Sequence, residues 1–140
     1  MSAPPELTTF GAVIRFAAAQ EAEAVAYYER WMAKGGDRPA LIASLASRHA
    51  KRAARLERLV REQLNEMILE PIAGLCAEDY AITSEKSLCA ASAIELETRL
   101  ARLYSDLVEH AGRALGVAAR SLSRFADESQ RQAEELHEGG

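Results

Sequence analysis

The chain has 140 residues, of which 49% are hydrophobic and 27% charged, with a formal net charge of −4. That balance predicts one soluble globular domain over 1–140, with its core within 10–136, and excludes a disordered chain. Both signs of charge are interspersed and no basic stripe alternates with aromatics, so nucleic acid is not an expected partner. No apolar run is long enough for a membrane span. Residues 1–20 hold Pro4, Pro5, Glu6 and one cation, Arg15. A secretory leader places cations before an unbroken apolar run, so a cytoplasmic protein is expected. Cys76 and Cys89 are too few and too irregularly placed for a zinc site or a disulfide framework, and are read as reduced thiols.

In chain order, the spacing predicts a first helix from Thr9 to Lys34, with Phe10, Val13, Ile14, Ala17, Ala24, Tyr28 and Trp31 on one stripe. Gly35-Gly36 stops it. Asp37 reads as the N-cap of a second helix, with Pro39 tolerated in its first turn. Leu41, Leu45, His49, Ala53, Leu56 and Val60 mark that helix, which reaches Leu69. Its basic run, Arg48, Lys51, Arg52, Arg55, Arg58 and Arg61, reads as a solvated face, or else as a contact for an acidic protein partner or a second subunit.

Pro71 and Gly74 interrupt the pattern, and the region through Thr83 is the longest irregular connection. Ser84 reads as the cap of a third helix carrying Leu88, Ala91, Ile94, Glu97, Ala101, Tyr104 and Val108. Gly112 and Gly116 mark a turn. A fourth helix then carries Leu122, Phe125, Ala126, Ser129, Ala133 and Leu136, and His137 to Gly140 read as a frayed end. Short links make two antiparallel hairpins, and the longer middle connection can cross the bundle. The expected fold is an all-α four-helix bundle with one crossover.

One phrase occurs twice. Glu21 precedes Tyr28 by seven residues, and Glu97 precedes Tyr104 by seven, each within an alanine- and leucine-rich helical stretch. Seven residues is nearly two turns, so each acid shares a face with its tyrosine and with the apolar stripe. Two carboxylates therefore point toward a helical core, where they need partners.

The phrases Glu21–Tyr28 (EAEAVAYY), Leu45–Ala50 (LASRHA), Ala93–Glu97 with Tyr104, and Phe125–Gln132 (FADESQRQ) resemble a rubrerythrin-type, ferritin-like protein in order and spacing. The resemblance spans residues 10–136. It implies a ferritin-like bundle that holds two irons with a Glu from each of two helices and a Glu-x-x-His pair from each of the other two. Glu21, Glu97 and His49 match ligands of that pattern. Ala46 stands where a bridging Glu belongs, and Ser129 and Gln132 fill the other Glu-x-x-His slot. Both bridging acids are missing, so an ordinary di-iron centre is not expected. Glu128, one position before Ser129, lies about 100° from the ligand direction.

Three readings follow for the inward acids. In the first, Glu21 and Glu97 are met by protonated His49, Gln132 and the hydroxyls of Tyr28 and Tyr104, as a metal-free network in which at least one of the two close carboxylates is protonated. Glu97→Gln is then expected to be neutral or stabilising. In the second, Glu21, His49 and Glu97 hold a single iron, manganese or zinc ion, and Ser129 and Gln132 orient water or substrate. In the third, one acid turns out to solvent. The first makes the chain a non-catalytic accessory or oligomerisation module, the second a metal-binding oxidoreductase. The resemblance also implies a homodimer, and the small residues Ala17, Ala18 and Ala24 permit close helix approach.

Overall fold

In a computed structural model of the chain, residues 5–62, 71–116 and 118–138 are described, the side chains of residues 112–115 excepted. Helix α1 spans Phe10–Lys34, α2 Pro39–Glu62, α3 Ala90–Leu115 and α4 Ala118–Glu138. Among the described residues there is no strand, only an isolated bridge between Thr9 and Pro71. The Thr9 hydroxyl accepts from Ala12 N at 3.1 Å and starts α1. Gly35 ends it at φ 69°, a left-handed backbone that glycine adopts without strain.

Each helix packs closest against its hairpin partner, α1 with α2 and α3 with α4, while α1 also meets α3 and α2 meets α4. From residue 71 to residue 89, the middle connection crosses the bundle from end to end. Pro71 bridges Thr9 at the start of α1, and Ile82 N donates to Gln20 Oε1 at 2.8 Å halfway along it. Tyr27 OH then donates to Ser87 O at 2.7 Å near the end of α1. α3 therefore begins where α1 finishes, and runs parallel to α2. That is the two-hairpin bundle with one crossover that the loop lengths predict.

Some boundaries differ from expectation. α3 starts at Ala90, not after Ser84, because α1 side chains hold the segment between them in non-helical form. Glu23 accepts from Ser84 N at 3.0 Å, and the Arg30 guanidinium donates to the Lys86 carbonyl. Leu88 consequently lies outside the helix. Gly112 lies within α3, leaving Gly116 as its C-cap. Asp37 is not the α2 cap: the carbonyl of Arg38, at φ 59°, accepts from Ile42 N, and its guanidinium donates to the Glu135 and Leu136 carbonyls at the end of α4. One arginine thus joins the start of α2 to the end of α4. α4 continues through His137 to Glu138. The expected extension of α2 to Leu69 lies outside the described residues.

The core follows the stripes with a small rotation. Ile42, Leu45, Ala46, His49, Arg52, Leu56 and Leu59 are the buried residues of α2, so its inner face is centred about one position away from a stripe drawn through Leu41, Ala53 and Val60. α3 is rotated likewise: Ala93, Leu96, Leu100, Leu103 and Leu107 are buried, while Ala91 is exposed. Ala17 and Ala24 are wholly buried within the chain's own bundle.

Candidate functional site

Tyr27, Tyr28 and Tyr104 are core aromatics, whereas Trp31 is half-buried and His110 and His137 are exposed. Among the described residues, the buried polar or charged side chains besides the tyrosines are Gln20, Glu21, His49, Arg52, Glu97, Ser129 and Gln132. All but Gln20, which holds the crossover, gather in the middle of the bundle. His49 sits between the two acids: Nδ1 lies 2.5 Å from Glu21 Oε1, and Nε2 lies 2.7 Å from Glu97 Oε2. Each acid also accepts from the tyrosine of the opposite hairpin. Tyr28 OH donates to Glu97 Oε2 at 2.6 Å, and Tyr104 OH donates to Glu21 Oε2. The chain of bonds runs Tyr104, Glu21, His49, Glu97, Tyr28, with a helix change at every step. Neither acid reaches solvent.

Electrostatics assigns the protons. Burial alone would push the His49 imidazole down, but Glu97 and Glu21 on either side outweigh this and raise it to about 9. At neutral pH it is an imidazolium, and both ring nitrogens donate. Burial would raise Glu21, yet the charge and bond of His49, with Arg52 and Tyr104, hold it below the ordinary carboxylate value. Glu21 is therefore ionised. Burial and the adjacent carboxylates raise Tyr28 and Tyr104 well above 10, so both remain donors.

Arg52 belongs to this centre and not to a solvated face. Its side chain is 2% exposed, with Nη1 3.5 Å from Glu21 Oε2. Nη1 also donates to Ser129 Oγ at 2.7 Å, and Nη2 to Gln132 Oε1 at 2.8 Å. The guanidinium lies over the Phe125 ring, 5.6 Å from its centroid. Its spacing from His49, i+3 on one helix face, was the available signal, obscured by drawing the stripe through Ala53. The same geometry corrects the expected partner of Gln132, which meets the guanidinium and not the carboxylates. Glu128 stays at the rim, about one-third exposed, 3.4 Å from Arg52 Nη2.

The result is two carboxylates facing an imidazolium and a guanidinium. An isolated charge in this interior would cost several kcal/mol, and charge balance removes most of that penalty. The two metal ions that the resemblance implies do not fit this set of side chains. Ala46 and Ser129 bring no bridging carboxylate, Gln132 brings no imidazole, and a guanidinium occupies the space before Ser129 and Gln132. Among the described residues, no group of three or more His, Cys, Asp or Glu side chains is arranged to hold a metal ion.

Comparison with protein-family models, curated proteins and solved structures finds no match. Among the described residues, no helix is long and apolar enough to cross a membrane.

Proposed function

We propose that this chain is a non-catalytic helical module, an accessory or oligomerisation unit, built on a rubrerythrin-type, ferritin-like bundle whose di-iron site has been replaced by protein charges. One observation carries the reading. The Arg52 guanidinium is seated on Ser129 and Gln132, the two positions where the resemblance expects a Glu and a His. With His49 it supplies the positive charge that the inward acids require. Glu21, His49, Glu97 and Arg52 then act as an internal staple that ties three helices together. The burial of Glu21 and Glu97 speaks against an acid turned out to solvent. A homodimer in the cytoplasm is the setting that this reading expects.

The competing reading is an oxidoreductase with one iron, manganese or zinc ion on Glu21, His49 and Glu97. It requires His49 to give up a carboxylate on one side and Arg52 to move away from Glu21. Metal analysis separates the two. Full-length protein purified without chelator and loaded anaerobically with ferrous iron should retain essentially none after desalting. Retention close to one ion per chain would favour the competing reading. Two ions with oxo-bridge absorption would defeat both.

A further inference from the structure

Outside the buried centre, where α2 meets α4, lies a pocket of about 310 Å³ lined by Arg48, Glu128, Arg131, Gln132 and Glu135. Its hydrogen-bonding capacity is unevenly used. Glu135 pairs with Arg48 at 3.5 Å, and Glu128 pairs with Arg52 at 3.4 Å. Both acids of the pocket are thus matched by arginines. Arg131 makes no ion pair among the described residues. Gln132, only 1% exposed, accepts from Arg52 on its carbonyl oxygen and leaves its amide N–H group without a partner. A buried amide N–H left unmatched is uncommon and calls for an acceptor. The Arg131 guanidinium and the Gln132 amide N–H are thus unmatched donors in a pocket whose lining charges, Arg48 and Arg131 against Glu128 and Glu135, balance.

We propose that this pocket is a binding site for a small oxyanion, held by the Arg131 guanidinium and the Gln132 amide. A guanidinium offers paired donors to a carboxylate or phosphate, and a carboxamide N–H adds one directed bond. The Arg48–Glu135 pair spans the pocket at the surface, with both side chains about two-fifths exposed. Such a pair contributes little and parts readily, which gives the anion its way in. The proposal shares the Arg52–Gln132 bond with the charge reading of the buried centre, but its test reads the pocket and not the metal content.

Titration of the full-length 15N-labelled protein at constant ionic strength tests it, with sodium acetate in one arm and inorganic phosphate in the other. Chloride serves as the control. Saturable shifts of the Gln132 side-chain amide and the Arg131 Nε–H signal, absent with chloride, are expected in at least one arm. The arm that saturates identifies the class of oxyanion. Arg131→Gln, a surface change that should leave folding intact, should weaken binding at least fivefold. Gln132→Glu keeps an oxygen for Arg52 but removes the free donor, and should abolish saturation. Non-saturating shifts in both arms, shifts matched by chloride, or equal affinity in Arg131→Gln would overturn the proposal.

Discussion

Tyr28 of α1 donates to the acid of α3, and Tyr104 of α3 donates to the acid of α1, so the two phenols tie the hairpins together in opposite directions. The exchange is symmetric in sequence but not in surroundings. Glu21 has His49, Tyr104 and Arg52 around it. Glu97 has His49 and Tyr28 on Oε2, while Oε1 is buried without a partner. Removing a phenol from the poorer acid should therefore cost more. Tyr28→Phe is expected to lose about 2–3 kcal/mol, against about 1–2 kcal/mol for Tyr104→Phe. Urea denaturation of both variants measures the difference, and the reverse order would contradict the arrangement around Glu97.

The pH dependence follows from His49. Its folded value, about 9, lies above its ordinary 6.5, so its contribution is complete below pH 6.5 and disappears as pH rises through 9. Glu21 is lowered, so its contribution is present above its ordinary 4.5 and is lost as the solution becomes more acid. Stability should be greatest between about pH 5 and 6.5, and the alkaline loss should be on the order of 3 kcal/mol. Chemical denaturation from pH 5 to 10 tests the sign. In His49→Gln the fall between pH 7 and 9 should vanish, and its persistence would place the titration elsewhere.

Glu97→Gln reverses in sign once the bond pattern is known. Read as one of two like charges crowded into a dry core, Glu97 looks harmless to neutralise. In the structure Glu97 is half of the counter-charge to His49, and removing one partner of a buried pair strands the other. A loss of about 3 kcal/mol near neutral pH is expected. The alkaline transition of His49 should also move to lower pH, as the imidazolium keeps only Glu21. Unchanged stability together with an unchanged transition would show that Glu97 does not carry the counter-charge.

The sequence made the scaffold and the inward acids legible for a physical reason. Gly35, Pro39, Pro71 and Gly116 act locally, so the helices and their hairpins could be read without knowing the packing. Glu21 and Glu97 were legible because each recurs in phase with an apolar stripe. Arg52 was hidden because a long cation is ordinarily solvated, and five other basic residues of α2 surround it in the sequence. Only the third dimension brings Ser129 and Gln132, from α4, within reach of its guanidinium. The start of α3 was likewise set by Glu23, Tyr27 and Arg30 of α1 and not by its local cap signal.

Arg52 offers the most direct test of charge replacement. Arg52→Met keeps much of the apolar stem but removes the cation, the bonds to Ser129 and Gln132, and the contact with Glu21. Breaking a buried pair from one side should cost about 3–5 kcal/mol, seen as a lower denaturant midpoint with little change in slope. Arg52→Lys preserves the charge without the planar fork and should fall between. The acids of the methionine variant then lack one positive charge, and a divalent cation can supply it. Zinc or manganese should raise the melting temperature of Arg52→Met by mass action while leaving the parent protein unaffected. Equal responses of the two proteins to metal would mean that the guanidinium is a packing element and not the cation that balances Glu21.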